Sequence, residues 1–212
     1  MGEISRLFKY YYILDVVRLL KDRFLTKVLF SSKVKMIRQP AYVIGKQFIE
    51  FGKDFQAGVF LRIEILHKDF VRHPVIGYDG EPFLKIGNNV SFNNNVHIGA
   101  ISEIIISDNV LVGSNVLIID HNHGVYKGED QDAPETVPRD RKAKPEKIFI
   151  GKNVWIGDNV SILQSSHIGN GCIIAANSVV CGKFGDNLIL AGTPAKAIKQ
   201  YDNTTKKWIR IS

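Results

Sequence analysis

Residues 150–180, IGKNVWIGDNVSILQSSHIGNGCIIAANSVV, carry an aliphatic side chain at every sixth position: Ile150, Ile156, Ile162, Ile168, Ile174 and Val180. Glycine follows at 151, 157 and 169, with alanine at 175. The fifth place of each hexad holds Val154, Val160, Ser166, Cys172 or Ser178, all small or medium. A helix has no use for this period, because six steps of about 100° carry successive side chains around its surface. A hairpin meander is not expected either, since no Asn-Gly or Asp-Gly turn recurs at hairpin spacing. The pattern suits a solenoid in which each hexad is a short strand and a bend, with the aliphatic side chain inward. Glycine beside it permits a tight corner, and three hexads close one triangular turn of about 18 residues.

The same frame returns upstream at Ile86, Phe92 and Ile98, and after a two-residue shift at Ile106, Val112 and Ile118. A weaker set stands at Phe51, Ala57 and Ile63. Two stretches leave the frame. Residues 66–84 (LHKDFVRHPVIGYDGEPFL) interrupt it before Ile86, and residues 119–149 interrupt it before Ile150. The second opens on Asp120-His121-Asn122-His123-Gly124. A regular solenoid has little room for chemistry except where it is interrupted, so these loops are the candidate site.

The [Ile/Val]-Gly-x-x-[small]-x repeats resemble the hexapeptide-repeat acyltransferases over about residues 41–200. "IGKNVWIGDNV" (150–160) is similar to that family's turn after its active-site loop, and "AGTPAKAI" (191–198) to the segment that closes its solenoid. The resemblance implies an all-β, left-handed parallel β-helix of about five coils, although the crossover rule for parallel strands would point to the right hand. It implies three parts: a helical segment at 1–40, the β-helix at 41–195 with insertions 66–84 and 119–149, and a short C-terminal helix or tail at 196–212. It further implies a homotrimer that binds acetyl-CoA between subunits as a co-substrate, with no permanently bound cofactor and no metal.

Site residues follow from the same resemblance. Aligned without a gap from "ISDNVLVGSNV" (106–116), His123 falls on the family's catalytic histidine, and Asn93 in "SFNNNVHIG" on the residue holding the acceptor sugar. His121 and Asp120 would orient His123, contact the acceptor, or be structural. Positions matching CoA contacts are Ala176, Cys181, Lys196 and Lys199. Cys181-Gly182 stands where the family often has Thr-Lys, and Lys183 next door would substitute. Trp155 lines the same groove or is structural. The loop motif, the basic N-terminal segment and the "TKKWIR" ending resemble most closely the O-acetyltransferases of O-antigen and other surface polysaccharides.

The chemistry asks for such residues. Moving an acetyl group from a thioester to an alcohol requires removal of the hydroxyl proton as oxygen attacks the carbonyl. An imidazole is largely neutral near pH 7 and able to accept it. No G-x-S-x-G elbow occurs and no cysteine adjoins the histidines, so direct transfer in a ternary complex is expected. Two other functions compete. His97, His121 and His123 would supply three imidazoles to a zinc-dependent hydratase of the β-helix carbonic anhydrase type, but 121 and 123 are only two apart. A non-catalytic scaffold would merely present loops. His67, His73 and His167 have no partner pattern.

The 212 residues include 28 Lys+Arg and 21 Asp+Glu, a formal charge of +7, with 45% hydrophobic content. This composition excludes fibrous and disordered classes. Residues 1–40 hold nine basic and three acidic side chains; the rest is nearly balanced, so no extended positive stripe suggests nucleic acid. Leu7, Tyr11, Leu14, Val17, Leu20, Phe24 and Val28 recur at helical spacing opposite much of that charge. Such a helix either packs its stripe on the main domain, the commoner outcome, or lies on an anionic membrane. Lys9, Asp15 and Arg18 interrupt every apolar stretch that could act as a secretory signal, so a cytoplasmic location is expected, with possible peripheral contact of residues 1–30 at the inner membrane. Cys172 and Cys181 match no disulfide or zinc pattern.

Overall fold

The computed structural model describes residues 8–211. From residue 36 onward the chain winds as a left-handed parallel β-helix with three flat faces. Sheet 1 stacks Met36–Ile37, Gln56–Ala57, Ser91–Phe92, Leu111–Val112, Trp155–Ile156, Ile173–Ile174 and Leu188–Gly192. Sheet 2 runs from Ala41–Ile44 through Leu61–Ile65, His97–Ala100, Leu117–Ile119 and Ser161–Ile162 to Val179–Val180. Sheet 3 runs from Ile49–Phe51 through Phe83–Ile86, Glu103–Ile106, Ile148–Ile150 and His167–Ile168 to Lys183–Phe184. Six turns are therefore complete among the described residues, against the about five expected.

The hexads align as columns. Ile118 pairs with Ile162, which pairs with Val180; Ile106 pairs with Ile150, which pairs with Ile168. Ile150, Ile156, Ile162, Ile168, Ile174 and Val180 are all buried, as are Val154, Val160, Ser166, Cys172 and Ser178 in the fifth places. Each buried aliphatic side chain contributes about 1.5–3 kcal/mol.

The corners differ from the expectation. The left-handed backbone conformation falls mostly on asparagine, at Asn89, Asn95, Asn109, Asn115, Asn153, Asn159, Asn177 and Asn187. Asparagine tolerates this conformation better than other side chains. Carboxamides also stack from coil to coil, Asn89 donating to Asn109 at 3.0 Å and Asn109 to Asn153 at 3.0 Å. Gly151 serves a different need: a Cβ there would meet the Asn170 backbone nitrogen at 2.7 Å.

The C-terminal helix expected at 196–212 does not form over the described residues. Ala195–Asp202 and Lys207–Arg210 form an antiparallel hairpin that continues sheet 1 beyond Leu188–Gly192. Asp202 makes the turn, accepting from the Thr204 N–H at 2.9 Å and the Thr205 hydroxyl at 2.6 Å.

Helix α1, Ile13–Leu29, covers the other end of the β-helix. Leu7, the first member of the periodic stripe, lies outside the described residues. The remaining members corrected the packing expectation: Tyr11, Leu14, Val17, Leu20, Phe24 and Val28 are all exposed. The helix seats its Val16, Asp22 and Thr26 side instead. The reason is polar. The Ile37 N–H at the start of sheet 1 donates to Thr26 Oγ1 at 2.9 Å, and the Thr26 hydroxyl donates to the Asp22 carbonyl at 2.7 Å. Asp22 faces Lys21 at 3.6 Å and Arg38 at 3.9 Å. Among the described residues no helix is long and apolar enough to cross a membrane.

Candidate active site

Both insertions leave the coil on the same side, and they meet. Loop 66–84 precedes the sheet 3 strand Phe83–Ile86, and loop 119–149 precedes Ile148–Ile150 two turns further on. Val75 and Ala143 form a parallel bridge between them. The Ala143 N–H donates to Pro74 O at 2.8 Å, and the Ile76 N–H donates to Ala143 O at 3.0 Å.

The loop 119–149 starts at the corner after Leu117–Ile119, and Asp120 is fixed there first. Its side chain is fully buried and accepts from the Ile101 N–H at 3.0 Å, the Ser102 N–H at 2.7 Å and the Ser102 hydroxyl at 2.8 Å. Its Oδ1 also lies 2.8 Å from Nδ1 of His121. A carboxylate on Nδ1 selects the tautomer in which Nε2 carries the free lone pair.

His123 is turned elsewhere. Its ring packs edge-to-face on His73 of the other loop, with centroids 4.2 Å apart, and its ring centroid is 6.4 Å from that of His121. The Tyr126 hydroxyl donates to the His123 carbonyl at 2.6 Å, and Arg141 Nη1 donates to the Tyr126 hydroxyl at 3.1 Å. Partial burial of the ring lowers the His123 pKa below the ordinary 6.5, and the nearby His73 and His121 push it in the same direction. His123 is thus held neutral near pH 7.

A cleft of about 650 Å³ descends from His121 along the corner between sheets 2 and 3. Its walls include His121 and Asn122 from one turn, Gln164 and Ser165 from the next, and Cys181 from the third, with Lys144 above. Successive turns rise roughly 4.8 Å, so the cleft runs about 10 Å along the axis. His123 does not line it. Gln164, Ser165, Lys144 and His73 carried no motif; they enter the site only because the coil stacks its corners and the loops cross.

Other expected site residues lie apart within one chain. Asn93 is exposed at the corner before the strand His97–Ala100, whereas the histidines follow the stacked strand Leu117–Ile119. A strand's length separates them, on the order of 15 Å. Cys181 is exposed in the cleft, and Lys183 lies beside it on sheet 3. Ala176 is at the corner after Ile173–Ile174, and Lys196 and Lys199 project from the terminal hairpin. Trp155 is half exposed on sheet 1. The three imidazoles of a zinc centre do not converge: His97 Nε2 meets Glu64 at 3.1 Å, and no three His, Cys, Asp or Glu side chains among the described residues are grouped to hold a metal.

Residues 147–182 match the bacterial transferase hexapeptide (six repeats) family. Over 206 residues, 97% of this chain and 98% of the other, the sequence is 37% identical to a protein of Escherichia coli (strain K12) that bears the name lipopolysaccharide biosynthesis O-acetyl transferase WbbJ. Among solved structures, AntD, an N-acyltransferase from Bacillus cereus in complex with dTDP and coenzyme A, superposes with a TM-score of 0.59 at 17% identity, covering 82% of this chain and 84% of that one. The hexapeptide-repeat acetyltransferase VCA0836 from Vibrio cholerae does so with a TM-score of 0.54 at 20% identity, covering 96% and 95%. Those two likenesses concern the fold. The repeat match and the near full-length relative go further: the chain belongs to the hexapeptide-repeat acyltransferases and is a transferase of that family.

Proposed function

We propose that this enzyme transfers the acetyl group of acetyl-CoA to a sugar hydroxyl of a surface polysaccharide or its precursor, with His123 as general base. The observation that carries the reading is the corner cleft, which begins at His121 and Asn122 of the DHNH loop, next to His123 in the chain, and ends at Cys181. The name of the E. coli relative supports the acceptor class. In the reaction, the His123 imidazole takes the proton of the acceptor hydroxyl as its oxygen attacks the thioester carbonyl. The tetrahedral intermediate collapses by breaking the C–S bond, and the imidazolium returns the proton to the departing thiolate. The products are an acetyl ester and free CoA. The lowered pKa of His123 keeps its lone pair available for the first step.

A second assignment of the base has its own support. His121 is the imidazole with a carboxylate on Nδ1 and a place in the cleft, the arrangement that orients a base in hydrolytic triads. The experiment is to supply acetyl-CoA and a panel of glycans, follow thiol release, and compare His123→Ala with His121→Ala. Transfer that persists in the first variant and vanishes in the second moves the role to His121. Failure of thioester turnover with every acceptor would sink the transferase reading of this cleft.

The working unit we infer is a cytoplasmic homotrimer. Asn93, Ala176, Lys196 and Lys199 occupy one flank of the coil, and His121, His123 and Cys181 another. Laying the first flank of one subunit against the second of its neighbour would complete both the acceptor and the CoA sites. Sedimentation at working concentration tests this; a monomer with full activity contradicts it.

Helix α1 supplies the remaining contact. We infer that its outward stripe, centred on Val17, Leu20, Phe24 and Val28, rests on an anionic lipid surface. Arg18 and Lys21 flank the stripe on one side and Arg23 and Lys27 on the other, while Asp22 is turned to the coil and Asp15 is paired with Arg18 at 3.1 Å. This segregation of charge favours phospholipid headgroups over a second copy of a chain that is itself basic.

A further inference from the structure

We propose that His73 is a positioning residue for His123, delivered by loop 66–84 and held against the His123 ring by the bridge between the two loops. Three observations on the page converge. The rings meet edge-to-face with centroids 4.2 Å apart. Only Pro74 separates His73 from the parallel bridge of Val75 with Ala143, whose side chain is fully buried, so the ring is placed by backbone hydrogen bonds rather than by a free loop. The strap is secured elsewhere by Lys68 on Asp79 at 3.0 Å and by the Tyr78 hydroxyl on the Glu81 carbonyl at 2.7 Å. Finally, Nδ1 of His73 is buried and has no hydrogen-bond partner among the described residues. Burying a ring nitrogen without a partner is unfavourable, and such costs are retained where geometry is used. A phenylalanine would have filled the same space without that cost.

The role is specific to what faces His123. His73 approaches from the strap and His121 from its own loop, with Asp120 behind His121, and Arg141 behind the Tyr126 hydroxyl that holds the His123 carbonyl. Of these, His73 covers the ring itself. It both limits rotation of the imidazole and excludes water from one side. Loop 66–84 therefore acts on the base, in addition to any part it has in shaping the acceptor site. The proposal rests on His123 as the base.

Two variants of the full chain test it, His73→Phe, which keeps a ring, and His73→Asn, which removes it; thermal melts establish that each is folded. The His123 ring is titrated by 15N–1H NMR, with its signals assigned through His123→Gln, and kcat and KM are measured across pH. The expected result is a His123 midpoint moved upward in both variants, further in His73→Asn. The acid limb of kcat/KM should move with it, and kcat should fall roughly tenfold in His73→Asn and less in His73→Phe, with little change in the KM for acetyl-CoA. A His123 midpoint unmoved in both folded variants overturns the role of His73 and leaves the base assignment standing. A midpoint that moves while the acid limb stays in place overturns His123 as the base, and the positioning role with it.

Discussion

Asp120 binds His121 through one carboxylate oxygen and Ser102 through the other, so a single buried side chain joins the active loop to the preceding coil. Its donors converge on a charge that has no access to water. In Asp120→Asn the amide would present hydrogens to groups that themselves donate. That substitution should cost about 1–3 kcal/mol of stability. The midpoint of thermal unfolding should fall by several degrees, with slower transfer in the protein that remains folded. An unchanged melt would mean that the carboxylate is replaceable and that Asp120 does not organise the loop.

Removing the proposed base should be more selective. His123→Ala is expected to lower kcat by about 10²–10⁴-fold, the usual worth of a positioned proton acceptor, while the KM for acetyl-CoA changes little. Thermal stability should be nearly unaffected, because the His123 side chain is exposed and covers no part of the β-helix core. Single-turnover transfer from labelled acetyl-CoA measures this directly.

The pH profile has a definite sign. Protonation of His123 removes the lone pair, so activity is lost as pH falls through its pKa. Since that pKa lies below 6.5, the acid limb should sit below the ordinary imidazole value, with activity sustained through neutrality. An acid limb at or above 6.5 would show that a differently placed group is being titrated.

For the outward face of α1 the discriminating experiment is flotation with vesicles. Binding should be strong with phosphatidylglycerol-containing vesicles at low salt, weak with pure phosphatidylcholine, and lost in the double variant Leu20→Glu, Phe24→Glu. Transfer to a soluble acceptor should survive in that variant, because the helix end of the coil is remote from the histidine loop. If the variant instead changes the sedimentation coefficient and leaves vesicle binding intact, the stripe is an interface between subunits.

Corner substitutions separate two kinds of backbone demand. Gly151→Ala places a methyl group 2.7 Å from the Asn170 backbone nitrogen and 2.7 Å from the Gly169 carbonyl carbon. Neither neighbour is a flexible side chain. The coil spacing must yield, at a cost of about 1–3 kcal/mol or more. Asn153→Ala keeps the spacing but leaves at φ +58° a side chain without the local hydrogen bonding by which asparagine tolerates that conformation, and it removes the acceptor of the Asn109 amide. About 1–2 kcal/mol is expected for the backbone conformation alone. Urea titrations of the two variants should both show lower midpoints with unchanged slopes.

The aliphatic columns were readable because a solenoid repeats the same environment each turn, which turns a three-dimensional core into a one-dimensional period. Ile150 through Val180 needed no other information. Glycine and asparagine were harder to tell apart. Both mark corners, yet glycine is needed where the next coil's backbone approaches and asparagine where φ is positive, two demands with the same sequence spacing. The ending departs from the expected helix for another reason. "AKAIKQYDNTTKKWIR" has no strong helical period, and its Asp202-Asn203-Thr204-Thr205 turn was the available sign of a hairpin. His121 and His123 are marked as candidates by their place at a break in the frame. His73 had no such signal, since its contact joins two insertions that only the folded coil brings together.

A stack of parallel strands is in principle endless, and its two ends are templates on which another copy could grow. Here the first sheet is closed at both. The Thr26 hydroxyl group occupies the amide of Ile37 at the start, and at the finish the chain doubles back antiparallel, leaving an outer strand bounded by Lys206, Lys207 and Arg210. Charged, reversed edges of this kind resist strand addition. Strand addition that would carry the stack on into a fibre is thereby disfavoured at both ends of this face.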